Sequence, residues 1–326
     1  MATRPLRERV AYAALTQPSV LAVSGGADSM VMAAMQCAAD QQQVRVIATF
    51  DHGTGRFARD AVAMVSDWAL ERGIAVRTAR SASTARSEAA WRRERWEFLR
   101  AVSREFGCPV ATAHTEDDQA ETVFIRLLRQ SGVRGLAGLL APGPVRRPML
   151  EVSRADVRAA ANAFDVPYLD DPSNTDLRFL RNRVRLDLLP ALERESPGFR
   201  EWLLALGRRA AQWRGDVSAA VDRHWAPVVE TAEQRIVVRR DRTRQPTVDE
   251  AGLFWPEVAG RVGVALDRRG TARLASFTTK VESGLQMPLS GGATVTIERD
   301  SWSLERRGSG AEERSRPIGW HHAEGG

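Results

Sequence analysis

The stretch "VLAVSGGADSMVMAAM", Val20 to Met35, decides the fold: an apolar run, a break at Ser24-Gly25-Gly26, then a helix-like segment opening on Asp28-Ser29. Glycines after a strand let the backbone turn tightly and aim successive N–H groups at an anion. The helix that follows adds its positive N-terminal end. Ser24 and Ser29 place hydroxyl donors beside the same point. The commonest phosphate loop, GxxxxGK[ST], uses a lysine to reach the outer phosphates. Here Gly26 runs into Ala27-Asp28, so transfer of a γ-phosphoryl group is not supported. A dinucleotide-type GxGxxG is absent as well. On these residues alone, a plain tight βα turn stands as an equal reading.

The same alternation continues outward. "SVLAVSG" predicts a first strand and residues 28–39 a helix; "VRVIATFDH" predicts a second strand, with a helix over 59–71. "IAVRTAR" and a Trp- and Arg-rich helix over 88–105 come next, then "CPVATAH" and a helix over 117–130. Near-continuous apolar strands between helices predict an α/β fold, a parallel twisted sheet with helices on both faces (Rossmann-like). The glycine-rich "SGVRGLAGLLAPGP" reads as a loop over the sheet, and Ser153 as the N-cap of a helix over 153–164. An arginine-laden helix over 177–192 is expected to stop near Pro190 and Pro197. A domain boundary is placed at 195–198, giving domains 1–195 and 196–308. The second is expected to be smaller and mixed α+β: a long helix from Phe199 to about Trp225, a strand "RIVVRR", a helix near 249–266 and β-type runs such as "ATVTIERDSWSLERR". The polar, glycine-rich residues 309–326 are expected to form a disordered tail.

The 326 residues carry 47 Lys+Arg against 41 Asp+Glu, a net charge of +6, which points to a polyanionic partner. Lys280 is the one lysine, a ratio that a GC-rich genome explains; the excess over acids is not explained that way. No apolar run reaches the roughly 18 residues needed to cross a bilayer, and "MATRPLRERV" has no secretory h-region, so a cytoplasmic, membrane-free protein is expected. Two cysteines, Cys37 and Cys108, give no disulfide framework and no metal-ligand spacing.

"SGGADS" resembles the pyrophosphate (PP) loop of the N-type ATP pyrophosphatases, which cut ATP between its α and β phosphates and adenylate a substrate carbonyl. "TFDHGTGR", "EAAWRRERWEFL", "ATAHTEDDQAET", "RRPMLEVSRADV" and "DDPSNTDLRFLRNRVRLDLLP" are similar, in order and spacing, to elements of the tRNA(isoleucine)-lysidine synthetases. That resemblance covers the first domain to about Leu192, and the second domain is consistent with the family's tRNA-binding part. It implies a C–N ligase. The wobble cytidine of a CAU-anticodon isoleucine tRNA is adenylated on its ring carbonyl oxygen, and the ε-amine of free lysine then displaces AMP to form lysidine. ATP and Mg²⁺ are the implied cofactors, tRNA(Ile) and L-lysine the implied partners; a homodimer is left open. The chain departs from the family pattern at Thr115, where a second His is usual, and at Trp91 and Trp96.

On this resemblance Ser24, Gly25, Gly26, Ala27, Asp28, Ser29, Asp51 and His52 bind ATP, with His114 near the reacting phosphate and Arg92 and Arg95 as catalytic arginines that meet negative charge on the α-phosphate or the tRNA backbone. Asp28 either faces Mg²⁺ or simply starts its helix, where acid is favoured anyway. Asp118 and Glu121, at i,i+3 on one helix face, are assigned to lysine, whose ammonium must be held and then deprotonated from a pKa near 10.4. Their bland alternative is solvated capping charge. Arg178, Arg181, Arg185, Arg200, Arg208 and Arg209 are assigned to tRNA; for Arg92 and Arg95 a solvated charged helix is the alternative. Three rivals remain at this point: a base-thiolating enzyme of the same loop family, a small-molecule amidating synthetase, and a non-catalytic RNA-binding protein.

Overall fold

The computed structural model describes residues 14–53, 55–82, 88–225, 229–231, 235–240, 245–280, 282–289 and 292–306. They fall into two compact units, the first running to Ala211 and the second beginning at Gln212.

The first unit is built on four parallel strands: β1 (Ser19–Ala22), β2 (Val44–Asp51), β3 (Val76–Arg80) and β4 (Val110–Thr112). Between and after them run α1 (Ala27–Asp40), α2 (Arg56–Leu70), α3 (Glu88–Phe106) and α4 (Glu116–Leu128). The sheet order β3-β2-β1-β4 puts β2 and β4 on opposite sides of β1. The chain therefore reverses direction across β1, and the crevice at the strands' carboxyl ends is where such sheets bind ligands. Successive strand residues serve opposite cores. Leu21 and Ile47 pack with Met30 and Val65 of α1 and α2, while Val20 and Val46 pack with Phe98 and Val102 of α3. Both faces are covered, so the strands are apolar at consecutive positions rather than alternating. The predicted fold class and its first four strands are found as expected.

Beyond α4 come a short helix α5 (Val133–Leu136) and a return of the chain beside β4, where Arg146 bridges Ala111 in parallel. Helix α6 (Arg154–Ala163) starts from the expected cap: the Ser153 hydroxyl accepts from the Asp156 N–H. Then α7 (Leu180–Arg183) passes through a π turn, Val184–Leu188, into α8 (Leu189–Glu195), so the helix does not stop at Pro190. The π turn interrupts the i→i+4 ladder just ahead of Pro190. The proline thus enters at the start of a new helical segment, where its missing N–H costs nothing. Helix α9 (Phe199–Trp225) has the predicted extent. The compact unit nevertheless ends at Ala211, within that helix and not at 195–198. Leu203 of α9 packs on Val123 and Phe124 of α4, and Ala210 on Leu136 and Ala137, which ties this stretch to the first unit.

The second unit holds β5 (Val229–Thr231), β6 (Arg235–Arg239), α10 (Val248–Arg261), α11 (Arg268–Thr278), β7 (Gln286–Leu289), β8 (Ala293–Ile297) and β9 (Ser301–Arg306). Its antiparallel sheet, ordered β5-β6-β9-β8-β7, packs on Phe254, Trp255 and Leu274 through Ile236, Val295 and Trp302. Helix α11 and strand β7 are not predicted by the sequence reading. The opening "RRGTARL" of α11 is polar and glycine-interrupted, and its one local signal is Asp267, which caps the Gly270 N–H. Residues 309–326, expected to be a disordered tail, lie outside the described residues. Among the described residues, no helix is long and apolar enough to cross a membrane.

Candidate active site

A cavity of about 650 Å³ opens at the carboxyl ends of β1, β2 and β4, lined by Ser24, Gly26, Ala27, Asp28, Ser29, His52, Arg95 and His114 among others. The turn before α1 is knitted by its own hydroxyls: Ser29 Oγ donates to the Gly26 carbonyl (2.9 Å) and accepts from Ser24 N–H (3.1 Å). Gly25 has φ +84°, and a Cβ there would sit 3.0 Å from Cβ of Ala61. Only glycine suits both constraints. The Gly25 carbonyl accepts from Leu169 N–H (2.9 Å), which fastens the turn to the segment after α6.

Asp28 enters the cavity from the first turn of α1. Burial pushes its carboxyl up to about 6; Arg154 opposes that rise from 3.9 Å and Asp118 adds to it. An acid so poorly compensated is suited to a cation. His114 presents its imidazole at the end of β4, with Nδ1 2.8 Å from the Thr112 hydroxyl. Burial lowers it to about 4, against the pull of Asp118 and with help from Arg181 and Arg147, so at neutral pH it is uncharged. His52 and Arg95 each bring a buried nitrogen with no partner, Nδ1 and Nε, and burial lowers the pKa of both. Asp51 does not line the cavity: its carboxylate accepts from Gly53 N–H (2.7 Å) and pairs with Arg80 (3.3 Å), shaping the turn after β2. Arg92 is exposed and also outside the cavity lining.

Behind the cavity wall, α4 assembles a charge cluster. Thr115 and Asp118 form a capping box, Asp118 Oδ2 accepting from Thr115 N–H (2.9 Å). The other oxygen of Asp118 accepts from Arg154 (3.0 Å), Arg181 (3.0 Å) and Arg185 (3.3 Å). Glu121, 0% exposed, accepts from Arg154 (3.3 Å) and Arg185 Nε (2.7 Å) on Oε1. Its Oε2 accepts from Arg181 Nε (2.8 Å) and Arg185 Nη2 (3.2 Å). Burial pushes Asp118 up, but Arg181, the Thr115 N–H and Arg154 more than offset it and hold the carboxyl below its ordinary value. Of the two readings the sequence offers for Asp118, the capping one is present, but the charge is buried and paired with arginines rather than solvated. Thr115, which departs from the usual His, supplies the cap.

The arginines divide. Arg181 and Arg185 point inward onto Asp118 and Glu121, and Arg200 reaches Asp117 (2.7 Å). Arg178 stays at the surface, paired with Asp176; Arg208 and Arg209 are exposed. The π turn carries Arg185 into this cluster, a use such turns commonly serve.

Several residues of the site are not among those the sequence singles out. Arg154, first residue of α6, joins Asp28, Asp117, Asp118 and Glu121, and its backbone N–H donates to Asp117 (2.7 Å). Asp170, Asp171, Asn174 and Thr175 form a cavity wall, and Asn182 braces it by donating to the Ser173 and Asp176 carbonyls. Gln119, buried on α4, donates to Ala137 O (3.1 Å) and accepts from Leu139 N–H (2.7 Å). A Cβ at Gly138 (φ +62°) would lie 2.5 Å from that side chain, so Gln119 and Gly138 fix the glycine-rich loop together. Arg154 and Gln119 lie inside the motif stretches "RRPMLEVSRADV" and "ATAHTEDDQAET", the only signal that could have found them. Cys37 and Cys108 are free and neither lines the cavity. Among the described residues, no group of three or more His, Cys, Asp or Glu is placed to hold a metal ion.

A glycine turn without lysine, set at the carboxyl edge of a four-stranded parallel sheet, defines a PP-loop protein, and the PP-loop domain family model matches residues 6–192. The tRNA(Ile)-lysidine synthase of Salinispora tropica is 34% identical over 290 residues, 84% of this chain and 83% of that protein. The one from a Bradyrhizobium species is 31% identical over 323 residues, 86% of this chain and 87% of its own length. Among solved structures, the U34-tRNA thiolase of Methanococcus maripaludis aligns at TM-score 0.52 and 18% identity, over 64% of this chain and 76% of that one. It supports the fold alone. The chain belongs to the PP-loop family and, within it, to the tRNA(Ile)-lysidine synthases.

Proposed function

We propose that this protein is an ATP-dependent ligase that joins L-lysine to the wobble cytidine of a CAU-anticodon isoleucine tRNA. The observation that carries the reading is that a lysine-free phosphate turn and a buried pair of carboxylates, Asp118 and Glu121, are linked through Arg154, which lines the cavity and reaches Asp28, Asp118 and Glu121. In the first step the cytidine carbonyl oxygen attacks the α-phosphorus of ATP, the α–β bridge breaks and pyrophosphate leaves. Backbone N–H groups around Gly25 and Gly26, with the α1 N-terminus, receive the departing negative charge. Arg95, with its unpartnered Nε, and neutral His114 line the cavity and would donate to the α-phosphoryl oxygens, a role their exposure to the cavity supports.

In the second step the lysine ε-ammonium gives a proton to solvent, the free amine forms a C–N bond to the ring carbon, and the C–O bond breaks so that AMP departs with the former carbonyl oxygen. Asp118 and Glu121 sit one side chain behind the wall, held by Arg154 and Arg185, which line it. Taking up the lysine ammonium there exchanges a guanidinium for an ammonium and leaves the local charge balance intact. Arg181 and Arg185 then act on this cluster, while Arg178, Arg208 and Arg209 remain as surface cations for the RNA backbone. Mg²⁺ would be held by Asp28 together with the phosphates of ATP, since this ion commonly takes one or two carboxylates plus substrate oxygens, and it would neutralise charge at the cleaved bridge. The under-compensated Asp28 carboxyl fits that role. The second unit is assigned to tRNA contacts beyond the anticodon.

The test is incubation with radiolabelled lysine, ATP and either CAU-anticodon isoleucine tRNA or methionine tRNA. Label entering the isoleucine tRNA alone is expected. No label in either, from protein shown to be folded, would leave a non-catalytic RNA-binding protein as the better account.

A further inference from the structure

The glycine-rich loop over residues 131–141 has no part in the chemistry above, yet two arginines are built into it. Arg126, from the last turn of α4, donates through Nη1 to the Gly135 carbonyl. Arg147, beside the end of β4, donates through Nη1 to the carbonyls of Leu139 (3.1 Å) and Val145 (3.5 Å). Gln119 pins the same loop at Ala137 and Leu139. Both guanidiniums are partly buried, and the hydrogen bonds they make among the described residues go to backbone carbonyls. Arg147 Nε is buried with no hydrogen-bond partner at all. The carbonyls that anchor them, Gly135 and Leu139, are four residues apart, so both guanidiniums are held at one short stretch of the loop, and burial depresses both. Two neighbouring, part-desolvated cations bonded only to neutral carbonyls are costly unless an anion completes the site.

We propose that Arg126 and Arg147 form a binding site for a backbone phosphodiester of the RNA substrate, next to the nucleotide that enters the cavity. This rests on the RNA-modifying reading above. The ATP phosphates are already met by the turn at Ser24–Ser29, and neither Arg126 nor Arg147 lines the cavity. Arg147 nevertheless follows directly on Arg146, whose carbonyl accepts from Thr112 N–H (2.9 Å), and the Thr112 hydroxyl meets Nδ1 of His114 (2.8 Å), which does line it; the site therefore adjoins the strand end that carries His114. A polymer whose base occupies the cavity must leave its phosphates outside, and a guanidinium pair suits a phosphodiester.

The experiment is the salt dependence of tRNA binding, by filter retention without ATP or lysine, for wild type, Arg126→Gln, Arg147→Gln and Arg147→Lys. Each lost phosphate contact lowers the slope of log K against log salt by about one. Both glutamine variants should bind several-fold more weakly with a slope about one unit smaller, and Arg147→Lys should restore the slope. The KM for ATP should stay unchanged. Weaker binding with an unaltered slope would overturn the site, as a purely structural role. A raised KM for ATP with unaltered tRNA binding would overturn it in favour of the nucleotide phosphates. If the glutamine variants do not fold, the Nε–H resonance of Arg147 in wild type decides: it should shift on adding tRNA and not on adding ATP, and a resonance indifferent to tRNA rejects the site. Wild type that binds no tRNA would instead reject the parent reading, and this site with it.

Discussion

Replacing Glu121 with glutamine tests whether the buried acid–arginine cluster holds the active site together. The change keeps the shape and removes one charge. Oε1 accepts from Arg154 and Arg185, and Oε2 from Arg181 and Arg185, so whichever way the new amide turns, its NH₂ faces two donors. Two charge-assisted hydrogen bonds are lost, each worth about 1.5–3 kcal/mol. The three arginine side chains keep 21–35% of their surface in water, which softens the loss. A destabilisation of about 3 kcal/mol follows, at the lower end of what breaking a buried pair costs. For a unit of this size that is a fall in Tm of roughly 6–12 °C. The assay is thermal melting by circular dichroism, with urea unfolding to confirm an unchanged m-value, and the KM for lysine should rise in the same variant. Arg178→Ala, which removes an exposed pair with Asp176, is the control and should melt as wild type does. A Glu121→Gln protein melting within about 2 °C of wild type would mean that the arginines do not depend on this carboxylate.

Gly25→Ala places a Cβ 3.0 Å from Cβ of Ala61 on a backbone with φ +84°; pyrophosphate release should fall more than tenfold, and near-normal release would remove the turn from the chemistry. Asp28 should titrate near pH 6 in the ligand-free protein. Its folded value lies above the unfolded one, so it contributes stability that is present below about pH 4 and lost as pH rises through 6. Asp28→Asn should therefore melt higher than wild type above pH 6, with the gap closing in acid, while losing ATP cleavage; a variant less stable at pH 8 than wild type would contradict this. A Cys37→Ser, Cys108→Ser double variant should remain active, because neither thiol lines the cavity, and total loss of tRNA modification would favour base thiolation.

Much of the first unit is legible in the sequence because covered parallel strands leave a strong mark: consecutive apolar residues between amphipathic helices, as at Val20-Leu21 and Val46-Ile47. The glycine turn is legible for a related reason, since only glycine tolerates the geometry at Gly25. What is not legible depends on distance in the chain. Nothing local shows that Arg181 and Arg185 turn inward to acids sixty and more positions earlier, or that Asp51 is spent on Gly53 and Arg80 while His52 faces the cavity. Helix α8 runs through Pro190 because a π turn resets the ladder, a backbone detail with no compositional signature. Helix α11 stays hidden because packing of Leu274 and Phe277, rather than propensity, holds its glycine-bearing sequence in place.

The most direct measurement is the nucleotide product. With lysine and CAU-anticodon isoleucine tRNA both present, each lysine incorporated should be matched by one AMP and one pyrophosphate, and omission of the tRNA should stop ATP cleavage. Release of ADP and phosphate, or cleavage that ignores the tRNA, would contradict a turn built to hold departing pyrophosphate while an RNA base is activated.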